Sequence, residues 1–220
     1  MADEEIDEQL LCRPDEKARL ENRNADDQHM MLADLVDRGV TELRESHVRE
    51  LKALAIRDIF PCGDNYRTFM QKVLISNSEH TLPEAALVRT HVLDALEFIN
   101  QERTKRSALE RAAYALWRFN WIHPFAGGNG RTSRALAYLI LCIDNRAMLP
   151  GVPTMPSLIY ESRDRYILAL RCVDAAARLR PGEEPRSEDL AEMTAFLQEM
   201  VTQQLASAIE ALSNPRRSTT

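Results

Sequence analysis

Apolar residues recur every three or four positions along most of the chain, which is the spacing of one face of an α-helix. One such stripe runs from Leu87 to Ile99, and another runs from Leu109 to Trp117. The stretch RALAYLILCI, residues 134–143, is apolar nearly all round, which is typical of a helix buried on every side. These patterns predict an all-α protein whose central buried helix starts near Arg131.

The N-terminal half also favours helix. Two helical stretches are predicted in the first forty residues: one opens at Pro14, and the other has its apolar stripe at Met31 to Val36 and ends near Gly39. Thr81 and Glu84 have the spacing of a capping box, so a further helix is predicted to start there.

The C-terminal third contains two more helical patterns. Residues 157–179 read as one amphipathic helix, and a polar break separates them from a last helix at about 187–212. The apolar series of that last helix either packs on the domain or forms a homodimer. The predicted organisation is an N-terminal helical segment at 1–45, a core domain at 46–182, and a C-terminal helix and tail at 183–220.

One segment departs from helical spacing. Breakers cluster at 61–65, and turn residues occupy 76–78, so an extended segment is expected between them. The extended segment includes Val73, Leu74 and Ile75, which favours a small β-hairpin. The edge of such a hairpin can dock a peptide as an added strand.

Composition narrows the class of protein. The 220 residues are 45% hydrophobic and 28% charged, with a net charge of -6, which argues against a nucleic-acid binder because no basic stripe offsets it. No apolar run approaches the roughly 20 residues that span a bilayer. The acidic start lacks the order of a signal peptide. The four cysteines are far apart, as expected for reduced thiols, so we expect a cytoplasmic protein that does not act at a membrane.

Candidate chemistry is concentrated in HPFAGGNGRTSR, residues 123–134. Its glycine-rich loop consists of Gly127, Gly128, Asn129 and Gly130. Glycines let backbone N–H groups converge on an anion, and the start of the following helix adds its unpaired N–H groups and the positive end of its dipole. Arg131 and Arg134 are neighbours on the first turn and offer forked donors to phosphate oxygens. The stretch therefore predicts a polyphosphate site.

His123 stands a few residues before this anion site. A neutral imidazole there could take the proton from a hydroxyl that attacks phosphorus, while the loop holds the charge that develops on the phosphate oxygens. This arrangement indicates phosphoryl or nucleotidyl transfer to a hydroxyl. It is not a P-loop, because no GK(S/T) follows the glycines and no strand precedes them.

The same stretch resembles the signature of the Fic/Doc (Fido) family, HPFx(D/E)GNGRxxR, and the YR pair at 66–67 is similar to the pair that precedes the flap over the active site in that family. The resemblance implies a Fic-type helical bundle with a β-hairpin flap, and transfer of AMP from ATP to a Ser, Thr or Tyr hydroxyl of a protein substrate. By family pattern His123 is the general base, Arg134 reaches the terminal phosphate, and Phe125 anchors the loop. The residues that bind the other phosphates are then Asn129, Gly130 and Arg131.

We expect Gly128 to occupy the acidic position of the signature, where the family carries a residue that holds Mg²⁺. No metal ligand is identified in the loop, so we expect Mg²⁺ to arrive bound to ATP. Two alternatives to an AMP-transferring enzyme stay open. One is a catalytically weak nucleotide-binding regulator, and the other is Fic-type transfer of another phosphate-containing group.

Two further residues take roles from the resemblance. KARLEN, residues 17–22, is similar to the inhibitory motif (S/T)xxxE(G/N), which makes Glu21 an inhibitory candidate that pairs with Arg134. Tyr166 lies in a segment similar to the helix that borders the nucleotide base, so it is a candidate for base stacking, with core packing as the alternative.

Overall fold

The computed structural model describes residues 10–61, 65–69, 81–180 and 182–213, and the regular elements in these ranges are helical. The helices in chain order are α1 (Pro14–Asp37), α2 (Glu45–Ile56), α3 (Val88–Gln101), α4 (Ala108–Ile122), α5 (Asn129–Asn145), α6 (Met155–Glu161), α7 (Arg163–Leu179) and α8 (Ala191–Ser213). The all-α class is confirmed. The predicted hairpin flap with Val73, Leu74 and Ile75 lies outside the described residues.

Helix α5 is the centre of the bundle, as its apolar sequence predicted. Its residues from 135 to 143 are all buried, and it packs along α4 and also against α1, α2 and α6. Helix α4 begins with a capping box in which Ser107 Oγ accepts from the Glu110 N–H at 3.2 Å. Because α5 is held on several sides, its N-terminus is a rigid mount for the signature residues.

Helix α1 is continuous where the sequence predicted two helices. Its middle, NRNADD at residues 22–27, contains four weak helix formers, but Asn24 and the nearby Gln28 are buried and hydrogen-bonded. The Asn24 side chain donates to the Arg57 carbonyl at 2.8 Å, and the Gln28 side chain donates to the Leu51 carbonyl at 2.6 Å. These bonds to α2 stabilise the helix through the segment whose local propensity is low.

The capping box predicted at Thr81 and Glu84 is wrong. Residues 81–84 are not helical, a 3₁₀ turn follows at Ala85–Leu87, and α3 begins only at Val88. The Pro83 carbonyl instead accepts from the Arg67 side chain at 2.5 Å. The segment 81–84 is therefore held by this contact with Arg67 and does not form a helical turn.

The stretch predicted as one helix at 157–179 is two, α6 and α7, which are divided at Ser162. Gln204 of α8 ties α6 down, because its Oε1 accepts from the Met155 N–H at 2.7 Å. Helix α8 packs on α4, α6 and α7 through buried residues that include Phe196 and Met200. Among the described helices none is long and apolar enough to cross a membrane.

The turn before α6 supplies a test of this packing. Gly151 has φ 103°, and a Cβ there would lie 1.9 Å from the Gln204 carbonyl oxygen. We expect Gly151→Ala to lower the free energy of unfolding by about 1–3 kcal/mol more than Gly39→Ala does. Gly39 is the matched control, because it has φ 69° with nothing within 4 Å of a Cβ. Urea denaturation followed by circular dichroism measures both, and equal losses would show that the α6–α8 approach is not tight.

Candidate functional site

The signature loop joins the end of α4 to the start of α5, and His123 is the residue that ends α4. His123 has φ 48°, a left-handed conformation that costs a non-glycine residue about 1–2 kcal/mol. Its side chain is only 4% exposed, and both ring nitrogens are shielded from solvent. The imidazole is therefore held inside the protein at the mouth of the loop, in a backbone conformation that other contacts must maintain.

Arg67 supplies those contacts. Its buried side chain donates from Nε to the His123 carbonyl at 2.9 Å and from Nη2 to the Ile122 carbonyl at 3.4 Å. Its backbone N–H donates to the Pro124 carbonyl at 2.8 Å. Carbonyls at a helix C-terminus lack intrahelical donors, and a cation there also meets the negative end of the dipole. Burial lowers the pKa of the Arg67 guanidinium, but Arg67 keeps its charge at neutral pH.

Tyr66 completes the support of the loop. Its ring stacks on Phe125 with centroids 5.4 Å apart, and its hydroxyl donates to Glu45 Oε1 at 3.1 Å. Phe125 is fully buried, in agreement with its predicted role as the anchor of the loop. The sequence indicated the pair of Tyr66 and Arg67 only as the residues before a flap. Their contacts to the loop are long-range, and the one local signal was the pair itself.

Asn129 shapes the loop with its side chain. Its Oδ1 accepts from the Phe125 N–H at 2.9 Å and its Nδ2 donates to the Phe125 carbonyl at 2.8 Å. Thr132 Oγ1 donates to the Gly128 carbonyl at 2.8 Å, and Ser133 Oγ donates to the Gly130 carbonyl at 3.1 Å. Because the side chain of Asn129 is committed to Phe125, its backbone N–H is what it can offer to an anion.

Gly128 is the N-cap of α5 and has φ 77°. A Cβ at this position would lie 2.8 Å from Ile56 Cγ2 and 3.5 Å from Ala55 Cβ. The end of α2 therefore occupies the space into which a side chain at 128 would extend. With no side-chain cap, the first N–H groups of α5 remain available to an anionic ligand.

The two arginines of α5 have different neighbours. Arg131 Nη1 lies 3.6 Å from Glu21 Oε1 and Lys17 Nζ lies 4.0 Å from the same oxygen, so Glu21 pairs with Arg131 and Lys17, whereas the sequence predicted Arg134. The partner differs because α1 packs along α5, with Glu21 beside Arg131 and His29 stacked on Tyr138. The Arg134 guanidinium lies over the ring of Tyr160, 5.6 Å from its centroid.

Arg131 Nη1 is a buried donor. Within the described part of the chain no hydrogen-bond acceptor reaches it, since 3.6 Å to Glu21 is too long for a hydrogen bond. A buried guanidinium nitrogen without an acceptor is costly, and the oxygen of an anionic ligand would satisfy it. The first turn of α5 thus combines this donor, the helix dipole and a second guanidinium at Arg134.

Tyr166 packs in the core, which was the alternative to base stacking. It is 7% exposed, its ring stacks on Phe196 with centroids 6.1 Å apart, and its hydroxyl accepts from Asn120 Nδ2 at 2.7 Å. Burial raises the pKa of Tyr166 to about 12, so its hydroxyl stays neutral. Tyr160 is an exposed aromatic ring beside the signature, and the sequence did not single it out.

Comparison with known proteins finds similarity to one family over part of the chain. Residues 42–141 match the Fic/DOC family, a range that contains the whole signature. A Fido domain-containing protein of Dictyostelium discoideum is 39% identical over 90 residues, which are 40% of this chain and 58% of that protein. Protein adenylyltransferase fic-1 of Caenorhabditis briggsae is 32% identical over 111 residues, 50% of this chain and 20% of that protein. The chain thus spans less than two thirds of these relatives.

Solved structures show the same fold. A Fic domain containing signaling protein from Bacteroides thetaiotaomicron superposes with a TM-score of 0.69 at 21% identity, over 88% of this chain and 72% of that one. Fic-1 from Caenorhabditis elegans superposes with a TM-score of 0.61 at 21% identity, over 90% of this chain and 52% of that one. At this identity the likeness concerns the fold alone. The signature and the helical architecture agree with the family match, which assigns residues 42–141 of this chain to a Fic/DOC domain.

Proposed function

We propose that this protein is a Fic-type nucleotidyltransferase that moves AMP from ATP to a Ser, Thr or Tyr hydroxyl of a protein substrate. The observation that carries the proposal is the buried Arg131 Nη1, a donor without an acceptor among the described residues, at the N-terminus of α5. His123 is buried next to that N-terminus, at the other end of a loop of five residues. The adenylyltransferase relatives named above support this reaction class. The widely separated thiols favour a cytoplasmic setting.

The reaction requires a base, an electrophile and a site for the leaving group. The neutral imidazole of His123 takes the proton of the substrate hydroxyl, whose oxygen bonds to the α-phosphorus of ATP. The bond from that phosphorus to the bridging oxygen breaks, and pyrophosphate leaves. Arg131 and the N–H groups of Asn129 and Gly130 stabilise the phosphate charge, while Arg134 binds the terminal phosphate.

The residues of the loop do not fit a metal held by the protein. Counted from His123, the acidic position of the signature falls on Gly127 and not, as expected above, on Gly128, and neither glycine carries a carboxylate. Within the described ranges, no three His, Cys, Asp or Glu side chains cluster as a metal site. We therefore assign Mg²⁺ to the nucleotide, as an ion that arrives with the phosphates of ATP and keeps several waters.

A second candidate function also places ATP at the N-terminus of α5. A protein that binds ATP at α5 but positions its phosphates poorly would be a catalytically weak nucleotide-binding regulator, because small misplacements cost about 10²-fold in rate. Fic-type transfer of a different phosphate-containing group is the third candidate. Labelling distinguishes them: α-labelled ATP labels a protein only if AMP is transferred, and γ-labelled ATP labels it only if the terminal phosphate is.

The role of His123 is tested in that labelling assay. We expect His123→Asn to lower AMP transfer about 10²–10⁴-fold and to leave the Kd for ATP nearly unchanged, because a general base is lost while the phosphate donors remain. Asn tolerates the left-handed conformation better than Ala, so the loop should keep its shape, and His123→Ala serves as the second variant.

His91→Asn is the matched control for this assay. The His91 ring packs edge-on against the ring of Trp121 on the neighbouring helix, with centroids 5.5 Å apart. The His91→Asn variant should therefore transfer AMP at the wild-type rate. Equal transfer by the His123 and His91 variants would remove His123 from the mechanism. ATP binding without any label transfer by wild type would favour the regulator.

Glu21 is proposed as an inhibitory residue, with Arg131 as its partner. Its carboxylate lies 3.6 Å from the buried donor that a phosphate would otherwise engage. We expect Glu21→Gln to lower the Kd for ATP about three- to tenfold and to raise self-modification, since a competing and repelling charge is removed. Asp26→Asn, an exposed change of equal charge on α1, should alter neither. Isothermal titration calorimetry measures the affinity, and an unchanged value would contradict the inhibitory role.

The packing of Gly128 is tested by a double-mutant cycle with Ile56. We expect Gly128→Asp to destabilise the protein by about 1–3 kcal/mol, since its Cβ would overlap Ile56 in a left-handed conformation. In the Ile56→Ala background this cost should fall by about 0.5–3 kcal/mol. Urea denaturation gives both values. The same cost in both backgrounds would show that α2 is not what excludes a side chain here.

A further inference from the structure

Tyr160 is a large aromatic residue that α6 presents to solvent. Its relative exposure is 68%, although its neighbours Leu158 and Ile159 are buried in the core. The Arg134 guanidinium carbon lies 5.6 Å from the centre of the Tyr160 ring. That distance is within the range of a cation–π interaction. Tyr160 is therefore the exposed ring that meets one of the two arginines of the signature.

The position of Arg134 places this contact at the anion site. A Cβ built on Gly130 would lie 3.2 Å from Arg134 Nη1, so the guanidinium folds back over the first turn of α5. Side chains on a helix point toward its N-terminus, which is where the N–H groups of the loop lie. The guanidinium is thus near both the Gly130 backbone and the ring of Tyr160.

Tyr160 is itself held by the body of the protein. Helix α6 packs on α5, α7 and α8, and the Gln204 side chain fixes its first residue, Met155, through a hydrogen bond of 2.7 Å. Leu158 and Ile159, the two residues before Tyr160, lie in the main hydrophobic core. The backbone that carries the ring therefore cannot shift without disturbing buried side chains.

We propose that Tyr160 is a positioning residue for Arg134 and that it makes the site selective for nucleotides with a terminal phosphate. The proposal rests on the proposed function in two respects, namely that the ligand is a nucleotide and that Arg134 binds its terminal phosphate. A free arginine side chain has many rotamers, and ordering it upon binding opposes affinity. A guanidinium already placed against a fixed ring above the helix N-terminus avoids part of that loss.

The contact allows the phosphate to bind as well. A ring interacts with the face of the planar guanidinium, which leaves N–H groups at the edge of the plane for forked hydrogen bonds to phosphate oxygens. A carboxylate partner would instead occupy those N–H groups. Tyr160 can therefore keep Arg134 in place before and after the nucleotide binds.

A ligand-free experiment tests the positioning. The ring current of Tyr160 should displace the Arg134 Nε–Hε resonance in the ¹H–¹⁵N spectrum, with the assignment made from Arg134→Lys. We expect Tyr160→Ala to abolish this displacement and Tyr160→Phe to keep it. Leu168→Ala is the matched control, because Leu168 is also an exposed large side chain, on α7, and should leave the resonance in place. A resonance that does not move in Tyr160→Ala would overturn the proposal.

A binding experiment tests the selectivity. Isothermal titration calorimetry gives the Kd of wild type, Tyr160→Ala and Tyr160→Phe for ATP, ADP and AMP. We expect Tyr160→Ala to raise the Kd for ATP about two- to fivefold, the range for an exposed cation–π contact. The Kd for AMP should not change, and Tyr160→Phe should bind as wild type does. In an Arg134→Ala background, Tyr160→Ala should have no further effect on ATP.

The outcomes separate this inference from the proposed function. Equal weakening of ATP and AMP by Tyr160→Ala would mean that Tyr160 contacts the shared part of the nucleotide, and it would overturn the selectivity. A loss of ATP affinity that persists in the Arg134→Ala background would overturn the positioning role. If wild type binds none of the three nucleotides, the proposed function and the selectivity fail together. The resonance of Arg134 still decides whether Tyr160 positions it.

Discussion

The hydrogen bonds of Arg67 to the carbonyls at the end of α4 are the interaction on which the site depends. They satisfy acceptors that the helix leaves open, and they hold His123 in a left-handed conformation that is unfavourable for a histidine. The direction in which the chain leaves α4 sets where α5 begins, and hence the distance between the imidazole and the anion site. A buried cation thus acts on the geometry of the site without facing the ligand.

The start of α5 is positively charged, and its two guanidiniums are restrained by different chemistry. Arg131 faces the carboxylate of Glu21, which competes with any phosphate for the same donor. Arg134 faces the ring of Tyr160, which contacts the guanidinium without accepting hydrogen bonds in its plane. Glu21 therefore competes with a phosphate for Arg131, whereas Tyr160 orders the guanidinium of Arg134 before a phosphate binds. In such a site, phosphate binding is weakened at Arg131 and strengthened at Arg134.

A chain of contacts links the N-terminal helix to the signature loop. Asn24 of α1 bonds to the carbonyl of Arg57 at the end of α2, and Gln28 bonds to a carbonyl in the middle of α2. Ile56, the last residue of α2, lies against Gly128. The same α1 carries Glu21 to Arg131. Displacing α1 would therefore affect both the charge at the site and the support beneath its loop. These two effects have a common origin, because the residues share one rigid helix.

The sequence by itself determined the class of fold, the central helix and the position of the signature. The apolar run of α5 leaves it no solvent-facing side, and the order of histidine, glycines and arginines fixes which groups stand at its N-terminus. Tertiary structure decided the rest. Helix α1 is continuous because Asn24 finds an acceptor at the end of α2, and Glu21 meets Arg131 because of the way α1 packs along α5. Tyr166 is buried while Tyr160 meets Arg134, although both tyrosines lie in the same amphipathic pattern. Local periodicity indicates which residues are apolar, but contacts between distant helices depend on how those helices pack, which no single segment specifies.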